Sequence, residues 1–179
     1  KRDQQGFSEA IRLMRLRLEK KLHEEGRQVL LVSSAIPSEG KTTVAVNLAI
    51  SLAQKGTQVL LIDWDLRNPS VAKALQLQSA GGMPEFLSGQ APAKDLIRAS
   101  GVENLAVIAG TAPAKSVYQN QAAWERATVL LEATQKIISK DNLTTMMITH
   151  NMRDAIAYGD RLIMMYDGHI VVDVSGEEK

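Results

Sequence analysis

The sequence predicts an α/β fold of three layers, α/β/α, with helices on both faces of a mostly parallel central sheet and a C-terminal β-hairpin. Three observations carry this. Short apolar runs suited to buried strands alternate with segments of helical periodicity, which implies parallel pairing through right-handed crossovers. The first run, QVLLVS, leads through SAIPSEG straight into KTTVAVNLA, where a helix begins. Late in the chain, Asp167-Gly168 stands between RLIMMY and HIVVDV as the two residues of a tight hairpin turn.

The elements follow in chain order. Phe7, Ile11, Met14, Leu18 and Leu22 recur at helical spacing up to about Glu25, which predicts an amphipathic helix. Gln28 to Ser33 reads as a buried strand, and Lys41 to Gln54 as a helix closed by Gly56. Gln58 to Asp63 (QVLLID) is a second buried strand. After a Pro-containing turn come weaker helical pieces, roughly Val71 to Leu75, Pro84 to Leu87 and Ala93 to Ala99, and then a strand from Leu105 to Ile108. A long helix from about Gln121 to Ser139 leads to the strand Thr144 to Thr149 (TTMMIT), a short helix near Met152 to Tyr158, and the hairpin strands RLIMMY and His169 to Val174.

Bulk properties bound the rest. A chain of 179 residues, 45% hydrophobic, can bury one good core, so a single domain over residues 1–179 is expected. The 21 basic and 20 acidic residues leave a net charge of +1, with no overall field to favour nucleic acid or an anionic membrane. The absence of Cys excludes disulfides and thiolate metal sites, and no apolar run approaches the ~20 residues of a membrane span. With no signal peptide visible, a cytoplasmic protein is expected. The start at Lys1 rather than Met suggests a trimmed or engineered chain.

The segment between the first strand and its helix has the form of a phosphate cradle, in which successive backbone N–H groups and the positive helix end converge on phosphate oxygens. The candidate loop comprises Pro37, Ser38, Glu39, Gly40, Lys41, Thr42 and Thr43, and its ligand would be ATP or ADP. Lys41 would put its ammonium on the β and γ phosphates, and Thr42 its hydroxyl on Mg²⁺. Read without the nucleotide, the loop is an ordinary helix N-terminus, and Ala35 stands where the standard loop has its first Gly. The second strand, in LLIDWDLRNPSV, ends on Asp63, which directs a carboxylate to the same sheet edge, there to hold a metal-bound water or accept a proton. Asp65 and Arg67 follow it, Arg67 as a further candidate for holding the nucleotide, and alone DWDLRNP would be a polar turn with an Asp-Arg pair.

Together these segments resemble the bacterial protein tyrosine autokinases of capsule and exopolysaccharide synthesis, relatives of the deviant P-loop partitioning ATPases. That family writes its loop Ser-Ala-x-Pro-Gly-Glu-Gly-Lys-Ser/Thr-Thr, so Ala35 and Pro37 are expected, whereas Ser38 replaces the usual Gly and would strain the loop if positive φ is needed there. The family's Asp-x-Asp-x-Arg-x-Pro is matched by Asp63, Asp65, Arg67 and Pro69, and GGMPEFLSGQ and NLAVIAGTAPAK resemble its next segments. Glu9, Arg12 and Arg15 resemble the motif by which family members pack into rings, which implies a possible homo-oligomer; taken alone, they form a solvated helix face. The resemblance covers about residues 7–118. No strand ending in Asp-Thr-Pro-Pro, the family's second metal-handling carboxylate, follows Lys115, and the C-terminal tyrosine cluster is missing.

Residues from about Ala127 to Lys179 instead resemble the end of an ABC transporter ATPase, which implies that His150 is a switch histidine reaching the γ-phosphate. The expected arrangement is a chimera joined near residues 118–128, with an autokinase-like part at 1–120 and an ABC-like part at 121–179. Such a fusion would put TTMMIT beside QVLLVS. The function expected is Mg²⁺-dependent nucleotide binding with weak ATPase or phosphoryl-transfer activity, in which Lys41, Asp63, Asp65 and His150 would serve catalysis and Thr42 and Asp63 the metal. The alternatives are an engineered, non-catalytic chimeric scaffold that binds nucleotide incidentally, and an ABC-type transporter subunit.

Overall fold

A computed structural model describes residues 2–25, 29–34, 36–77, 83–110, 120–141, 143–149, 157–167 and 169–176. The strands are β1 (Val29–Ser34), β2 (Val59–Asp63), β3 (Ile97–Ala99), β4 (Leu105–Ile108), β5 (Thr144–Ile148), β6 (Arg161–Tyr166) and β7 (His169–Ser175). The helices are α1 (Arg2–Glu25), α2 (Lys41–Ala53), α3 (Val71–Ala74), α4 (Met83–Leu87) and α5 (Gln121–Asp141), with a 3₁₀ turn at Ala93–Leu96. One sheet runs in the order β3-β4-β2-β5-β1-β6-β7. Its five inner strands are parallel, while β3 and β7 pair antiparallel at the two edges.

The strand sequences explain the layering. Successive side chains point to opposite faces, and strands covered on both faces are apolar throughout. Leu30, Val32, Leu61, Met146, Ile148 and Ile163 turn to one side and pack with Leu48, Leu52 and Leu18 of α2 and α1. Leu31, Leu60, Ile62, Met147 and Leu162 turn to the other and meet Phe86 and Leu87 of α4 and Ala127, Leu130 and Leu131 of α5. The expected three-layer α/β/α architecture with its parallel sheet and closing hairpin is therefore present.

Strand β5 is the structural centre. It lies between β1 and β2, with Leu31 opposite Met147 on one side and Ile62 opposite Met147 on the other. TTMMIT thus stands beside QVLLVS, as the sequence reading required. At the rim, the Trp64 amide donates to Ile148 O at 2.9 Å and the Thr149 amide to Val32 O at 3.2 Å, which ties the ends of all three strands. The segments before and after residue 120 also meet where Arg126 of α5 donates to Leu87 O at 2.9 Å, its guanidinium lying 3.0 Å from where a Cβ on Gly89 would stand.

Two expectations are corrected. The piece from Ala93 to Ala99 is not one helix: after the 3₁₀ turn, Ile97 to Ala99 extend as an edge strand along β4, with Ile97 opposite Ile108. A three-residue strand with all its side chains exposed carries no hydrophobic alternation by which to find it. The first helix begins at Arg2, ahead of the Phe7 from which its apolar stripe was counted. The helix expected near Met152 to Tyr158 lies, apart from Ala157 and Tyr158, outside the described residues, as do Ala35, His150 and Gly168. The hairpin closes with Tyr166 opposite His169, and Asp167 takes the positive φ of 47° that such a turn needs. No helix among the described residues is long and apolar enough to cross a membrane.

Candidate functional site

Parallel strands deliver their C-terminal ends to one edge, and in open α/β sheets that edge is where ligands bind. Here the ends of β1, β2 and β5 bring together the loop 36–40, the Asp63 carboxylate and Thr149. Ser34 Oγ donates to Ile36 O at 2.6 Å and closes the start of the loop. Gly40 then turns into α2 with φ of 85°, a left-handed conformation natural to glycine, and its carbonyl accepts the Val44 amide at 2.9 Å. No side chain caps α2 and its first turn holds no acidic residue, so its leading N–H groups have no acceptor within the helix.

Ser38 has φ of 68°. The substitution noted in the sequence thus falls where the chain is left-handed and a Cβ is costly. Pro37 and Ser38 are exposed, Glu39 and Thr42 half-buried, and Thr43 exposed, its carbonyl accepting from Asn47 Nδ2 at 2.8 Å.

Lys41, the first residue of α2, is only 6% exposed. Burial lowers its pKa, because an ammonium loses hydration, while Asp65, Asp63 and Glu39 pull it back by their charge. Asp63, 1% exposed, is clasped by main-chain donors: the amides of Ser70 and Val71 give to Oδ2 at 2.8 and 2.9 Å, and that of Asp65 gives to Oδ1 at 3.2 Å. Burial nevertheless wins, and with the neighbouring Asp65 charge it raises the Asp63 pKa to about 6 against these hydrogen bonds. Asp65 accepts the Asn68 amide at 3.1 Å and so shapes the 65–68 turn, while Arg67 is exposed.

One contact was not foreseen: Thr42 Oγ1 and Ser70 Oγ lie 2.7 Å apart. Ser70 precedes α3, and nothing in its sequence spacing ties it to Thr42. The oxygens of Thr42 and Asp63 are of the kind that suits a hard divalent cation. Asp63 Oδ1 takes a single long N–H bond among the described residues, which leaves it acceptor capacity. No cluster of three or more His, Cys, Asp or Glu that could hold a metal occurs among the described residues, so a Mg²⁺ here would arrive with phosphate and water as most of its ligands.

On α1, Arg12 donates to Glu9 at 3.0 to 3.3 Å on the exposed face, whereas Arg15 is buried and paired with Glu19 at 2.8 Å. Arg15 is thus engaged within its own helix.

Two outcomes are expected. Replacing Ser38 by Gly relieves a left-handed cost of about 1–2 kcal/mol, partly offset by the freer unfolded chain, so Ser38→Gly gains about 0.5–1 kcal/mol in urea unfolding; a loss would refute the strain. In metal-free protein, Asp63 binds its proton more tightly folded than unfolded. Its contribution to stability is therefore full below pH 3.8 and is lost as pH rises through about 6, a fall on the order of 3 kcal/mol. Urea midpoints of wild type and Asp63→Asn between pH 4 and pH 7 should differ by this slope, and parallel curves would contradict it.

A family model described as an AAA domain matches residues 37–153, well over half of the chain. Tyrosine-protein kinase YwqD of Bacillus subtilis is 37% identical over 101 residues, 56% of this chain and 43% of the relative. The tyrosine transport ATP-binding protein of Clostridioides difficile is 50% identical over 50 residues, 28% of this chain and 20% of that protein. The chain spans less than half the length of the curated relatives it matches. Among solved structures, the kinase domain of VpsO shares the fold at a TM-score of 0.67 and 21% identity, over 93% of this chain and 84% of that one. The loop from residue 37 into α2 and the buried Asp63 at the end of β2 both lie within the matched span, and the chain belongs to the AAA domain family.

Proposed function

We propose that this chain binds ATP or ADP with Mg²⁺ through residues 37–43, as a tyrosine-kinase-like nucleotide domain with weak ATPase or phosphoryl-transfer turnover. The observation that carries this reading is the pairing of opposites at one rim: Lys41 buried at the start of α2, and the Asp63 carboxylate buried at the end of β2. Lys41 serves the β and γ phosphates, Thr42 and Asp63 serve the metal, and Arg67 and Asp65 stand on the adjoining turn. Phosphoryl transfer depends on positioned charge. The second carboxylate that would complete the metal shell has no counterpart in the sequence, which limits the expected rate.

The similarity to tyrosine-protein kinases over 101 residues, beside a 50% match to a transport ATP-binding protein over 50, favours a two-parent chain. In that reading residues 1–120 derive from a kinase-like parent and residues 121–179 from an ABC-like one, and both contribute strands to one domain. In the same reading His150, two residues after Ile148 in sequence, is the γ-phosphate partner. Association through Glu9, Arg12 and Arg15 belongs to the same reading. A scaffold that binds nucleotide only incidentally is the second possibility, favoured by the missing carboxylate.

Calorimetry with Mg-ADP separates the two. Wild type should bind, and Lys41→Ala should weaken binding about tenfold or more, the worth of one charge-assisted hydrogen bond; equal weak heats in both would favour the scaffold. His150→Ala should leave ADP affinity unchanged and lower ATP turnover by about tenfold or more. Unaltered turnover in that variant would remove His150 from the site.

A further inference from the structure

We infer that Ser70 is a positioning residue for the metal: its hydroxyl accepts the proton of Thr42 and so turns a Thr42 lone pair toward Mg²⁺. This rests on the nucleotide reading above and adds to it a residue that neither the loop motif nor the Asp63 motif contains.

Three observations support it. The two hydroxyl oxygens are 2.7 Å apart, a full-strength O–H···O distance, across 28 residues of sequence. Ser70 sits immediately before α3, where a serine ordinarily caps the helix, yet its side chain makes no cap hydrogen bond and is given to Thr42 instead. Its backbone is also fixed, because its amide donates to Asp63 Oδ2 at 2.8 Å. The same buried carboxylate that serves the metal therefore anchors the residue that orients the metal's hydroxyl ligand.

The chemistry requires such a partner. A threonine hydroxyl that gives a lone pair to a cation must donate its proton elsewhere, and the acceptor decides where the remaining lone pairs point. A carboxylate on the neighbouring strand would be the natural acceptor, but β5, which fills that place, reads Thr-Thr-Met-Met-Ile and has none. Ser70 Oγ is within reach and carries acceptor lone pairs. Its own proton is left for a further acceptor in the site.

The test measures ADP affinity by calorimetry, with Mg²⁺ and again with EDTA, for wild type, Ser70→Ala and Ser70→Thr. Wild type should bind ADP more tightly with Mg²⁺. Ser70→Ala should lose about tenfold of that gain, the lower range for removing an outer partner of a metal ligand, while its affinity in EDTA stays unchanged. Ser70→Thr, which keeps the hydroxyl, should recover it. Because no cap bond is lost, both variants should unfold cooperatively, as a urea titration would verify. A full Mg²⁺ gain in Ser70→Ala overturns the inference and leaves the nucleotide reading standing. An equal loss with and without Mg²⁺ also overturns it, since that marks a general structural role. No ADP binding by wild type in either condition overturns the nucleotide reading, and the inference with it.

Discussion

A carboxylate with 1% of its surface in solvent must be supplied with donors or it will be protonated, and the geometry of this site follows from how Asp63 is supplied. Its donors come from its own chain, two and seven or eight residues later. To deliver them, the segment 64–71 has to fold back over the end of β2. Asp65 tightens that return by accepting the Asn68 amide. The return ends with Ser70 beside Thr42, so one buried charge organises the turn, starts α3 and brings a second hydroxyl to the first turn of α2. Removing the charge would affect all three at once.

The carboxylate has a rim to sit on because β5 completes the sheet. A strand in the middle of a parallel sheet needs apolar side chains on both faces and backbone partners on both edges. TTMMI meets the first demand with Met146, Met147 and Ile148, all buried, and meets the second by pairing with β1 and β2. Methionine suits this position: unbranched and adaptable, it fills a core whose two covering helix layers come from different parts of the chain. The Arg126 bond to Leu87 O fastens the later helix onto the earlier segment outside the sheet. These contacts explain physically how strands on both sides of residue 120 share one core.

Most of this was legible in the sequence, for a definite reason. Buried strands such as VLLVS and VLLID carry their own signal, and Gly40-Lys41 between a strand and a helix marks the cradle without reference to the rest of the chain. The neighbourhood of β5 was expected only through the resemblance of the later segment to an ABC transporter ATPase, and β5 does pair with β1. What escaped was non-local or poorly patterned. β3 is three exposed residues whose strand character exists only through pairing with β4. The Thr42–Ser70 contact depends on the path of a turn, which no periodicity records. The left-handed Ser38 was anticipated as a question about one side chain, and the answer came from its φ.

The loss of water at this rim acts on both of its buried charges. Burial lowers the pKa of Lys41 and raises that of Asp63, so each is pushed toward its neutral form by the same loss of water. They offset one another only in part, since the Asp63 level is set by its burial and its three amides. A polyphosphate would restore the advantage of a charged Lys41, and a divalent cation that of an ionised Asp63. Neither alone would serve both, because phosphate without metal sets more negative charge beside the carboxylate, and metal without phosphate sets positive charge beside the ammonium. The arrangement would therefore suit the two together, and the leading amides of α2, with no acceptor inside the helix, would add to the pull on such an anion.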